Sequence, residues 1–264
     1  MNHRLFSIII FGSLWITSCG QLGVSGNKQQ PILIEQADAA TTALKEDTIS
    51  VEKRYPRTEI HEKYDGLEKE MVAAGLVNVR HMDTNIIVEL KYATSDNFLN
   101  SAVYGPMVDA YLRVEAAAKL SLAQDELAAL KPGYRLIVFD AARPVHVQEM
   151  MWELVKDGPK RHYVANPEIG SLHNYGSAVD LSIVDSNGLL LDMGTPFDFF
   201  GKLAHPRHEQ SFLKTRKLSR AQVQNRELLR KVMESADFAG IPTEWWHFNA
   251  FPLKHVETYF PLVP

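Results

Sequence analysis

Two imidazoles and two carboxylates mark where this chain could do chemistry. His173 and Asp180 lie in Ser171-Leu172-His173-Asn174-Tyr175-Gly176-Ser177-Ala178-Val179-Asp180, and Glu244 and His247 lie in Glu244-Trp245-Trp246-His247. His, Asp and His are a three-ligand set, and three protein ligands with an open fourth position are what a catalytic zinc site requires. A structural zinc is closed by four. The open position takes a water whose pKa the metal lowers towards about 7. A carboxylate nearby then serves as the base that removes its proton, which is the part Glu244 suits.

The paired motif, S-x-H-x-x-G-x-A-x-D followed by E-W-W-H, resembles that of the D-alanyl-D-alanine dipeptidases, the VanX-like branch of the zinc DD-peptidases. The resemblance runs from about residue 77 to 248. It implies one zinc ion per chain, held by His173, Asp180 and His247, with Glu244 as catalytic base. Asp140-Ala141-Ala142-Arg143-Pro144 is similar to the family's Asp-x-x-Arg-Pro element. There the arginine steadies the oxyanion, a task that suits a permanently charged fork of donors. Arg143 is therefore expected to be catalytic and Asp140 to belong to the substrate-binding set. Ala141-Ala142 stands where other dipeptidases have Gly-Tyr, a departure that bears on pocket shape. Tyr92-Ala93-Thr94-Ser95-Asp96-Asn97-Phe98 matches a family string whose tyrosine lies near the substrate, and Ser171 matches a serine that contacts it. Met193-Gly194-Thr195-Pro196-Phe197-Asp198-Phe199-Phe200 is similar to a string whose aspartate binds the substrate's ammonium group, which implies that role for Asp198. The activity implied is zinc-dependent hydrolysis of the dipeptide D-alanyl-D-alanine in the cell envelope, for wall turnover or dipeptide scavenging. A D,D-carboxypeptidase or endopeptidase acting on peptidoglycan stem peptides would share the zinc triad. A zinc-binding recognition module without turnover would have no need of Glu244.

These residues need a scaffold, and 264 residues with a net charge of -4 suffice for one sizeable domain and do not suggest a nucleic-acid binder. Met1-Asn2-His3-Arg4 is positive, and the apolar run from Leu5 to Ile16 is too short to span a membrane but right for a signal-peptide core. Ile16-Thr17-Ser18-Cys19 looks like a bacterial lipobox, and Cys19 is the only cysteine. Residues 1–18 therefore read as a lipoprotein signal peptide, and 19–60, polar and without Phe or Trp, as a flexible tether. Residues 61–264 form the catalytic domain. The expected location is the cell envelope, on the periplasmic or outer-membrane face, with a lipid anchor at Cys19 holding the protein to a membrane. The expected partner is a small dipeptide substrate. No protein partner is inferred.

Within the domain, a helix is expected from His61 to Ala74, a β-prone run over 85–90 and a long helix from Met107 to Leu130. Tyr134 to Phe139 reads as a buried strand that delivers Asp140 at its end. Pro144 opens a helix whose Val147, Met150, Met151 and Leu154 form a core-facing stripe. Gly176-Ser177-Ala178 let the metal-bearing loop approach a strand, and alternation over 179–184 turns Asp180 away from the apolar face. Asp185-Ser186-Asn187-Gly188 reads as a hairpin turn with Leu189-Leu190-Leu191 returning. His205, Pro206, Arg207 and His208 read as surface residues. Ser219 caps a helix to Phe238, closed by Gly240, and Pro242 opens the last strand. In a regular strand Glu244 and His247 would face opposite sides, so a bend, a bulge or a turn must bring both to the metal. The fold class that the resemblance implies is α+β, an antiparallel sheet with helices packed around it, of the zinc DD-peptidase type, and the hairpin turn after Asp180 is in keeping with it.

Overall fold

A computed structural model describes residues 66–264, so the expected signal peptide, the tether with Cys19 and the start of the first helix lie outside the described residues. In chain order the elements are α1 Leu67–Ala73, β1 Leu76–Asn78, α2 Val79–Met82, β2 Ile87–Val88, β3 Tyr111–Arg113, α3 Val114–Leu130, β4 Arg135–Asp140, α4 Val145–Val155, β5 Ala178–Val184, α5 Glu209–Lys214, α6 Arg220–Ser235, β6 Ala239–Ile241, β7 Glu244–Asn249 and α7 Leu253–Tyr259. This is the α+β class. The main sheet has five strands in the order β2-β4-β5-β7-β6, and β1 and β3 form a separate two-stranded pair. Only the edge pairing β2–β4 is parallel, and the other neighbours in the main sheet run antiparallel.

β5 is the axis of the sheet because both of its faces are buried. Val179, Leu181 and Ile183 enter the main core with Leu136, Val138 and Phe248. Each such burial is worth roughly 1.5–3 kcal/mol, enough to hold a strand whose alternate positions carry Asp180 and Ser182. On the other face Val184 joins Ile137 and Phe139 in a small second cluster. The expected alternation is therefore present, with a second thin apolar layer behind it.

Two irregularities in the strands place the polar residues. β4 and β5 pair Val138 with Leu181 and then Asp140 with Asp180, so Phe139 is an extra, bulged residue. Strict alternation from Ile137 would have sent Asp140 to the core side, and the bulge puts it opposite Asp180 instead. Asp180 in turn pairs with His247 on β7, so Asp140, Asp180 and His247 form one row across three strands. The second irregularity answers the question of Glu244. β6 pairs Gly240 with Phe248 but Ile241 with Glu244, where regular pairing would have given His247. The chain bulges out between them, both tryptophans are buried in succession, and Glu244 and His247 are each left half-buried.

Several sequence-based boundaries shift. The helix expected from Met107 starts at Val114, because Tyr111–Arg113 pair with Leu76–Asn78 as a strand. In α4 the buried positions are Val147, Gln148, Met151 and Val155, whereas Met150 and Leu154 are exposed, so the predicted stripe is rotated about the helix axis. The turn at Asp185 forms as expected, with its carboxylate accepting from the Asn187 and Leu189 amides. The returning Leu189-Leu190-Leu191 makes only one isolated bridge, Val184 to Leu190, before the chain leaves the sheet. Ser219 does cap α6, in a reciprocal box with Gln222, but the helix ends at Ser235. Asp237 takes the left-handed conformation that ends helices (φ 58°), and Gly240 belongs to β6.

Candidate active site

His173 sits on a short 3-10 turn, Leu172–Tyr175, whose geometry is set by its neighbours. The Ser171 hydroxyl accepts the His173 amide, and the Asn174 side chain accepts the Ser171 amide (2.7 Å) while donating to the Arg143 carbonyl (2.8 Å). Gly176 ends the turn at φ 67°. A Cβ there would stand 2.2 Å from Leu76 Cδ2, so any other residue must displace that side chain and adopt a left-handed backbone, and glycine makes the close approach without either cost. The turn is thereby stitched to the segment that follows β4, and His173 to Arg143.

The imidazole of His173 donates from Nδ1 to the Ala141 carbonyl (2.6 Å), which leaves Nε2 as an acceptor. His247 is oriented in the same manner: Nε2 lies 2.8 Å from Asn249 Oδ1 as donor, and Nδ1 faces inward. The three inward atoms lie close together, with His247 Nδ1 at 2.9 Å from Asp180 Oδ1 and 3.2 Å from His173 Nε2, and His173 Nε2 at 3.5 Å from Asp180 Oδ1. A tetrahedral metal with bonds of about 2.0–2.1 Å separates its ligand atoms by roughly 3.3 Å. Three acceptors converge at that spacing, and they fit a zinc ion in both chemistry and size. Among the described residues this is the one cluster of potential ligands of its kind. Burial disfavours charge on Asp180 and on His247. Even so, the histidines hold Asp180 well below the usual carboxylate range, and the hydrogen bond and charge of Asp180 bring His247 up to about 9.

Around the triad lies a cavity of about 260 Å³, lined by Arg143, Ser171, Glu244, Tyr92, Asp198 and Trp246 as well as the three ligands. Burial raises the Glu244 carboxyl above its ordinary value, the direction a general base working near neutrality needs. Arg143 is buried, and its Nη1 donates to Gln148 (2.8 Å) while its Nη2 bonds Asp140. Burial opposes the guanidinium charge, but Asp140 more than compensates, and its pKa rises well above the ordinary value. Asp198 accepts from the Tyr92 hydroxyl (2.9 Å) and lies in the left-handed region at φ 58°. Burial, and after it the charge of Asp180, raises the Asp198 carboxyl far above the usual range. Such a group gains most from a cation placed against it. A larger cleft of about 700 Å³ shares Asp198 but contains none of the triad or Glu244, so the smaller cavity is the one that carries the chemistry.

One sequence expectation is corrected. Asp140, assigned to the substrate, is fully buried and spends its oxygens on Tyr104 (2.5 Å), the Ala141 amide and Arg143. It holds the arginine and does not face the cavity. Ser171 lines the cavity while capping the turn, and the hydroxyl that accepts there still has a proton to donate. Ala141 and Ala142 are both buried beneath the site. Four partners were not anticipated: Asn249, Gln148, Tyr104 and Trp246. Asn249 was within reach of inference, since a residue two places from His247 in a strand shares its face. Tyr104 left no signal in the sequence.

Comparisons with known proteins agree in kind. The family model described as D-ala-D-ala dipeptidase matches residues 72–261. A protein from Escherichia coli K12 named D-alanyl-D-alanine dipeptidase is 35% identical over 174 residues, which cover 66% of this chain and 83% of the relative. Proteins of the same name from Enterococcus faecalis V583 and Streptomyces coelicolor are each 31% identical, over 188 and 192 residues, covering 65% of this chain and 89% of each relative.

Proposed function

The chain belongs to the D-ala-D-ala dipeptidase family, and from that footing we propose that it hydrolyses free D-alanyl-D-alanine with a bound zinc ion. His173, Asp180 and His247 would hold the ion. When bound, zinc polarises the scissile carbonyl and makes a water more acidic, towards about 7. Glu244 takes a proton from that attacking water as its oxygen bonds to the carbonyl carbon. The same carboxyl returns the proton to the departing nitrogen as the C–N bond breaks. Arg143, held by Asp140 and Gln148, donates to the carbonyl oxygen as it gains negative charge. Asp198 receives the substrate's ammonium group, with Tyr92 fixing the carboxylate's orientation. The reading is carried by one observation: Asp198 lines the same 260 Å³ cavity as the triad, so a cation is favoured in the cavity that would hold the metal.

The test compares free D-alanyl-D-alanine, its N-acetyl derivative and a pentapeptide stem. Loss of the ammonium partner leaves Asp198 uncompensated, so the blocked forms are expected to react about a hundredfold more slowly or worse. Equal or faster cleavage of the blocked forms would transfer the chain to the carboxypeptidase reading. Glu244→Gln should retain zinc and lose roughly 100- to 10,000-fold in kcat. Undiminished turnover by that variant would remove Glu244 from the mechanism.

The N-terminal reading belongs to the same proposal. A signal peptide over 1–18, a lipidated Cys19 and a tether over 19–60 would place the catalytic domain in the cell envelope, tied to a membrane by acyl chains. There it would meet dipeptide released from the wall.

A further inference from the structure

The loop from Met193 to Leu203 carries Asp198, and both of its ends meet α6. Arg226, fully buried on that helix, donates from Nε to the Met193 carbonyl (2.6 Å) and from Nη1 to the Leu203 carbonyl (3.1 Å). On the same helix face, Gln222 donates to the Asp192 carboxylate (2.8 Å) and Asn225 to the Asp192 carbonyl (2.9 Å). Glu209 balances the buried charge: its Oε1 lies 3.4 Å from Arg226 Nη1, and Arg230 donates to both of its oxygens (3.0 and 2.7 Å).

Stability alone does not account for this arginine. Arg226 Nη2 is buried without a hydrogen-bond partner, and an apolar side chain of similar volume often serves a core as well or better. No apolar side chain, however, can bond two carbonyls at opposite ends of a loop. The loop turns at Asp198, which stands at φ 58°, a left-handed conformation that aspartate adopts more readily than most residues, so what fixes the place of its carboxylate is the anchoring of the loop around it. Aromatic packing secures the middle: Phe197 lies 5.2 Å from Phe139 and 5.4 Å from Trp246 between ring centroids, and Phe200 stacks on Tyr163 at 3.9 Å. The clamp by α6 secures the ends.

We propose that Arg226 is a positioning residue which, by tying both ends of this loop to α6, sets the distance of the Asp198 carboxylate from the His173–Asp180–His247 cluster and so enforces the demand for a free amino terminus. The inference rests on the reading of Asp198 as the ammonium acceptor. Lysine at 226 reaches one carbonyl and loses the other, so the loop shifts while the zinc ligands, on other elements, stay in place.

The experiment measures zinc content and the ratio of kcat/KM for free and N-acetylated D-alanyl-D-alanine in Arg226→Lys, Arg226→Met, Gln222→Ala and Asp198→Asn. A ratio between two substrates does not depend on how much enzyme is folded, so a merely structural defect leaves it unmoved. For Arg226→Lys, the free dipeptide's KM is expected to rise about tenfold with kcat within about threefold, full zinc, and a ratio lowered about tenfold. Gln222→Ala, the outer part of the same clamp, should lower the ratio about threefold and keeps the test open if neither Arg226 variant folds. An unchanged ratio in the folded clamp variants, alongside a fallen ratio in Asp198→Asn, overturns the proposal. An unchanged ratio in Asp198→Asn overturns the ammonium reading and this inference with it.

Discussion

At the scale of single residues, proton and metal compete for one place. His247 Nδ1 lies 2.9 Å from Asp180 Oδ1, and without metal its imidazole would keep a proton up to about 9. Zinc must displace that proton, so its apparent affinity should rise about tenfold per pH unit and level off above about 9. Titrations at several pH values with a competing chelator check this, and an affinity independent of pH between 6.5 and 9 would contradict it. The sign reverses for the fold of the metal-free protein. A raised histidine stabilises it fully below the ordinary 6.5 and ceases to as pH climbs through about 9. Asn249 enters through the opposite ring nitrogen. Asn249→Ala should weaken zinc binding about 10- to 100-fold, as loss of an outer partner of a metal-bound histidine generally does.

At the scale of elements, two bulges and one glycine turn build the site. The bulge at Phe139 brings Asp140 into the row with Asp180, and the one in β7 turns Glu244 and His247 into one cavity. Gly176 is the most exacting position of the turn. An added Cβ would lie 2.2 Å from Leu76 Cδ2, so a methyl group must push that buried side chain aside as well as take up a left-handed conformation. Gly176→Ala should cost about 1–3 kcal/mol or more by strain and overpacking, measurable in urea unfolding. Zinc affinity should fall with it, because His173 rides on the same turn. A stable variant with unaltered zinc affinity would show that the turn tolerates movement.

At the scale of the whole molecule, the question is where the domain works. Among the described residues no helix is long and apolar enough to cross a membrane, so any membrane attachment proposed here depends on the N-terminal segment. Several acyl chains on Cys19 would anchor the protein stably, where a single chain would not. Cys19→Ser should release the protein from the membrane fraction or leave it unprocessed, without changing the kcat of the purified domain. Fractionation with immunodetection checks it, and unchanged partitioning would count against lipidation.

The chemistry of this site was legible in the sequence because it depends on residue type and local spacing. Ser171, His173, Gly176 and Asp180 lie within ten residues, and their turn, glycine and strand follow from short-range preferences. The α+β class was what the family resemblance implied, and the turn after Asp180 was the local pattern in keeping with it. Helix ends and the buried face of α4 were less legible, since Met150 and Leu154 are as apolar as Met151 and only packing decides which is covered. What tertiary structure alone decided is the alignment of distant pieces. Asp140 changed from a substrate contact to a support for Arg143 because a bulge and Tyr104, 36 residues away, enclose it. The bond of Arg226 to both ends of the Asp198 loop is of the same kind. Such contacts join residues far apart in the chain, and they are set by how strands slip and helices pack, which no local pattern records.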